Sequence, residues 1–111
     1  MSRIAPSQVI EAYQETGLDV VRGCVYDPVF HRSCALGALY CSTTGANYRN
    51  YTLTRWVEIV ARALGIDESY AHSFAMGWDG NLPDQDTDIE AYEDGAEAYD
   101  AVTLWRESQE V

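Results

Sequence analysis

The sequence predicts a mainly α, single-domain five-helix bundle around a buried central helix, with a short extended arm or small hairpin. Three observations carry that prediction. Leu53, Trp56, Val57, Val60, Ala61 and Leu64 fall at the three-and-four spacing of an amphipathic helix. The stretch Cys34-Ala-Leu-Gly-Ala-Leu-Tyr-Cys41 is apolar on every side, and a helix of that kind is buried on every side. The chain has 111 residues, 47% of them hydrophobic, which suits one domain over residues 1–111 with one core.

The remaining elements follow in order. Ser7 to Thr16 reads as a helix with Val9, Ile10 and Tyr13 on one face, Pro6 near its start and Gly17 as its stop. Asp19 to Asp27 is short and rich in valine, and reads as a strand or arm with a possible bulge at Gly23. Asp27-Pro28 opens a turn. Ser33 is placed to cap the central helix, where Gly37 and Ala38 allow a neighbouring backbone to come close. Asp67 caps a further helix that turns Tyr70, Ala71 and Phe74 inward and runs to about Gly77. Residues 78–86 read as a loop from their glycine, proline and asparagine content. The last helix is expected from about Thr87 to Ser108, with Ile89, Tyr92, Ala96, Tyr99 and Val102 inside. Gly95 weakens that helix by roughly 1 kcal/mol relative to alanine, so it predicts a bend or a close packing partner.

Charge narrows the function classes. Residues 1–62 hold five acids and six arginines, a net of +1, whereas residues 63–111 hold thirteen acids and only Arg106, a net of -12. An anionic half of this kind repels phosphate backbones and anionic lipid, so direct nucleic-acid or membrane binding is not expected. It attracts cations or a basic surface on another protein. No apolar run reaches the length of a membrane span, and Met1 to Pro6 opens no signal-peptide stretch, so a cytoplasmic location is expected. Three cysteines without a secretory context are expected to be thiols.

In the order helix, arm, apolar helix and Trp-Asp loop, the chain resembles a family of small actinobacterial and actinophage proteins. That family has a Cys-Ala-Leu-Gly-Ala helix and a Trp-Asn-Asp-type loop before a final helix. The matching residues are Gly23 to Tyr26, Cys34 to Leu39 and Trp78-Asp79, with Asp79-Gly80 standing where the family has Asn-Asp. The family has no assigned activity. The resemblance implies an architecture and a bacterial or phage origin, and transfers no catalytic residue.

Four chemistries deserve weighing. Cys34 would sit in the first turn of the central helix, where backbone N–H groups lower a thiol pKa, and His31 or His72 could serve it as a base. The competing reading is a small apolar core residue. A zinc site from Cys24, Cys34, Cys41, His31 and His72 has suitable ligand types but no Cys-x2-4-Cys pair. The loop residues Asp79, Asn81, Asp84, Asp86, Asp88 and Glu90 offer oxygen ligands for calcium, yet Pro83 and Asp84 break the EF-hand pattern. Finally, Glu90, Glu93, Glu97 and Asp100 follow a three-four-three spacing along one side of the last helix. With Asp86, Asp88 and Asp94 they form a negative stripe that can imitate nucleic-acid phosphates.

The expected function is therefore that of a non-catalytic acidic interaction protein, a phage-type inhibitor or regulator. It would dock its anionic C-terminal half on a basic, nucleic-acid-binding type of surface on a protein partner. The partner-binding residues are expected to be Asp86, Glu90, Glu93, Asp94, Glu97 and Asp100, with Tyr48 and Arg49 adding aromatic and cationic contacts. No catalytic residue, metal or cofactor is assigned. The alternatives are the cysteine-dependent enzyme built on Cys34 and the calcium-stabilised domain.

Overall fold

Pro6 fixes a helical φ and has no N–H to lose at the first turn, so it starts α1 (Pro6–Thr16) cleanly. Gln8 reaches back to accept the Ala5 N–H at 2.7 Å, and Gly17 ends the helix at φ 70. The computed structural model describes residues 3–23, 27, 29–45 and 56–109. Within them follow β1 (Asp19–Val20), β2 (Arg32–Ser33), α2 (Ala35–Thr44), α3 (Trp56–Leu64), α4 (Glu68–Asp79) and α5 (Ile89–Gln109). The five-helix, mainly α architecture is thus as the sequence predicts. None of these helices is long and apolar enough to cross a membrane.

Of the arm expected over residues 19–27, residues 24–26 lie outside the described residues; among the described ones Asp19 and Val20 are strand, paired in parallel with Arg32 and Ser33. The second strand was hidden in sequence because it follows directly from a turn: Asp27 bridges Arg32 in antiparallel register and accepts the N–H groups of Val29 and Phe30. Drawing Ser33 into β2 also removes it from the cap of α2. Cys34 occupies that position instead. The Ser33 carbonyl accepts the Tyr13 hydroxyl at 2.6 Å and the Val21 N–H, while its own hydroxyl is buried with no hydrogen-bond partner among the described residues.

Seven successive residues of α2, Ala35 to Cys41, are buried, as an apolar-all-round helix requires. α2 packs on α1, α3 and α4 and is the hub of the core. α3 adds Val60 and Ala61 to that core and lays Trp56, Val57 and Leu64 against it; the expected Leu53 contact lies outside the described residues.

α4 runs further than predicted. Gly77 is not a stop, and Trp78 is not in a loop but inside the helix, among the largest fully buried side chains. The stop is Gly80, at φ 75. Trp78 belongs inside because its surroundings satisfy it. Its ring stacks on Tyr13 at 6.2 Å and meets Tyr99 edge-on at 5.1 Å, and Nε1 donates to the Val21 carbonyl at 3.0 Å. The neighbouring Asp79 accepts the Gly23 N–H and Arg22 lies over the Tyr99 ring, so the arm is fastened to α4 and α5. Trp78→Phe keeps much of the ring and removes the indole donor, leaving the carbonyl of half-buried Val21 short of a partner. The expected loss is about 1–2 kcal/mol, read as a lower urea midpoint with unchanged slope.

α5 buries small residues. Ala91, Gly95, Ala98 and Val102 form its inner line, flanked by half-buried Tyr92 and Tyr99. Ile89, expected inside, is 52% exposed; at about 100° per residue it lies nearly opposite the centre of that line. Gly95 meets the close partner its composition called for. A Cβ there would stand 2.0 Å from the Phe74 carbonyl oxygen, and one on Gly77 would stand 1.9 Å from the Tyr92 carbonyl oxygen. The two glycines let α4 and α5 cross backbone against backbone.

Candidate docking face

Asp88 sets where α5 begins. Its carboxylate accepts the Ala91 N–H, its carbonyl accepts the Tyr92 N–H, and its own N–H donates to the buried Ser73 hydroxyl. Asp84 organises the loop ahead of it, accepting the Asp86 N–H and the Thr87 hydroxyl. These two carboxylates are therefore committed to the turn and the helix cap. Among the described residues no group of three or more histidine, cysteine, aspartate or glutamate side chains is placed to hold a metal ion.

With that start fixed, helical geometry sets the outer face. Glu93, Glu97 and Asp100 lie within an arc of roughly 60° and are all exposed. Ile89 and Leu104, the latter 67% exposed, fall in or beside the same row, so an apolar side chain stands at each end of the carboxylates. Leu104 carried no signal in the sequence reading; helical spacing from Glu93 and Glu97 would have placed it on this face. Asp86 is exposed in the preceding loop.

Two of the predicted contact residues behave differently. Asp94 is not on the face: it is 6% exposed and turned inward. Arg3 grips it with two hydrogen bonds, Nε to Oδ2 at 3.0 Å and Nη2 to Oδ1 at 2.6 Å. Tyr70 donates its hydroxyl to the same carboxylate at 2.6 Å and accepts the Ile4 N–H at 2.9 Å. The Arg3 guanidinium, with the Tyr70 hydroxyl, holds the Asp94 carboxyl below its ordinary value, and burial with the hydrogen bond to Asp94 pushes Tyr70 up to about 12. Asp94 therefore straps the segment before α1 to α4 and α5. Glu90 does face outward but shares Arg3, at 3.2 Å. Both side chains are more than half exposed, so this pair is worth little. Among the described residues no arginine forms an ion pair with Asp86, Glu93, Glu97 or Asp100. Tyr48 and Arg49 lie outside the described residues.

The thiol and imidazole groups are spread over the molecule. Cys34 is buried at the start of α2. His31, at φ 51 with its ring near the Thr16 carbonyl, lines a small cavity of about 290 Å³ together with Cys41, Glu15 and Ser42. His72 lines a separate groove of about 750 Å³ between α3, α4 and the loop before α5. Cys24 lies outside the described residues.

Compared with known proteins, the chain matches no family model, no curated protein and no solved structure.

Proposed function

We propose that the protein is a non-catalytic acidic interaction protein, of the kind phages use as inhibitors or regulators. It docks the outer face of α5 on a basic, nucleic-acid-binding type of surface of a protein partner. The observation that carries this reading is the row Glu93, Glu97 and Asp100, exposed and without an arginine partner among the described residues, between Ile89 and Leu104. Carboxylates give such a contact its steering and register, and the two apolar ends give it area to bury. Successive carboxylates stand about 4.5–6 Å apart along the helix axis, a spacing that suits a run of basic side chains.

The triple variant Glu93→Lys, Glu97→Lys, Asp100→Lys changes only exposed positions and keeps good helix formers, so the fold is expected to survive. Affinity for a partner recovered at low salt should fall about tenfold or more, mainly through slower association. Wild-type affinity should also fall as salt shortens the screening length towards 3–8 Å. Normal binding by the triple variant would sink the reading.

A further inference from the structure

We infer that the partner presents a single basic α-helix, and that this helix lies lengthwise along the outer face of α5. The inference rests on the docking reading above and names the shape that reading requires of the partner. From Ile89 the steps to Glu93, Glu97, Asp100, Leu104 and Glu107 are four, four, three, four and three residues. At about 100° per residue all six fall within roughly 80°, and Glu107 returns to the angle of Ile89. The seam therefore runs straight along the helix axis for about 27 Å. All six residues are exposed, and among the described residues no arginine pairs with any of the four carboxylates.

The length of each step decides what can lie beside it. Steps of three and four residues advance about 4.5 and 6 Å along α5. A second helix repeats its contact residues at the same two steps, so it can meet the seam at every position with the axes about 8–10 Å apart. An extended strand repeats on one face every ~6.7 Å, and over five steps it would overrun the seam by about 6 Å. Charge then selects a basic helix, with lysine or arginine opposite Glu93, Glu97, Asp100 and Glu107. Ile89 and Leu104 call for apolar residues opposite them. They also set the register, because sliding the partner by one step would press an apolar side chain against a carboxylate. Proteins that read DNA commonly do so with one helix laid in a groove, so a helical partner agrees with a nucleic-acid-binding type of surface.

The test uses the whole protein with synthetic peptides in place of the partner. Two isotope-labelled peptides as long as α5 share one composition, alanine and glutamine with two leucines and three lysines. In the first, Leu-Lys-Lys-Lys-Leu follow the four-four-three-four spacing; in the second, the same five stand at every other residue. At low salt the helix-spaced peptide should bind at least about tenfold tighter, and its Cα shifts should move to helical values on binding. Leu104→Ala, at an exposed position, should weaken that peptide about threefold. Equal affinity for the two peptides, bound shifts of an extended chain, or no loss with Leu104→Ala would each overturn the inference. The two readings fail separately. Loss of the partner by the lysine triple variant, with no preference between the peptides, defeats only the helix. Normal binding of the partner by that variant defeats the docking reading itself, whatever the peptides do.

Discussion

Gly95→Ala is expected to destabilise the protein by about 3 kcal/mol or more, lowering Tm by roughly 10–20 °C. A methyl group there would stand 2.0 Å from the Phe74 carbonyl oxygen, a distance no relaxation of side chains can relieve, because both sides of the contact are main chain. The helices must separate, and separation opens the core around Phe74 and Trp78. Alanine's better helix propensity, about 1 kcal/mol, works in the opposite direction and is outweighed. Gly77→Ala meets the Tyr92 carbonyl at 1.9 Å and should behave alike. Because both substitutions disturb one crossing, the double variant should cost less than the two single effects added together. Thermal unfolding checks this, with Glu93→Ala as an exposed control expected to stay within about 0.5 kcal/mol of wild type. A Gly95→Ala protein melting within a few degrees of wild type would refute the crossing as described.

The second large effect belongs to Asp94. Asp94→Ala leaves the Tyr70 hydroxyl without its acceptor and releases Arg3, so the segment carrying buried Ile4 loses its fastening. The expected cost is about 2–3 kcal/mol. Its pH dependence has a definite sign. The hydrogen bonds from Arg3 and Tyr70 lower the folded-state pKa of Asp94 below the 3.8 of a free carboxyl. The stabilisation is therefore complete above that value and is lost as pH falls below it, through the lowered pKa. Urea unfolding from neutrality into strong acid should show the wild type losing stability that the Asp94→Ala protein no longer has to lose. Parallel curves for the two proteins would show that Asp94 is not the strap. Tyr70→Phe is the complementary variant. It keeps the Arg3 pair, leaves the Ile4 N–H unpaired and should fall between the two.

How much of this was legible in the sequence differs by kind of information. Helices whose apolar residues recur at three and four, such as residues 56–64, could be placed from spacing alone. The all-apolar stretch at residues 35–41 announced its own burial. Gly95 announced either a bend or a close approach, because a glycine in mid-helix weakens the helix, and the structure shows the close approach. What spacing could not reveal was which glycine does which task. Gly77 and Gly80 are equivalent as letters, yet one serves a helix crossing and the other a left-handed turn, so Trp78 was assigned to the wrong side of a helix end. Asp94 was misplaced for a related reason. It sits one position from Glu93 in the chain but about 100° further round the helix, and the arginine that draws it inward is 91 residues away. The groove lined by His72 was not anticipated because its lining comes from two helices and a loop.

The strap and the helix crossing differ in how much chain each must bring together. α4 and α5 are joined by only the nine residues 80–88, so their crossing can form early at small entropic cost. The grip of Arg3 on Asp94 spans nearly the whole length of the polypeptide, and its closure gains nothing until the helices it bridges are already paired. A contact made after the rate-limiting step governs how fast the native state is lost rather than how fast it is reached. Substitution of Arg3 is thus expected to change mainly the lifetime of the folded protein, and substitution of Gly77 or Gly95 the speed of its assembly.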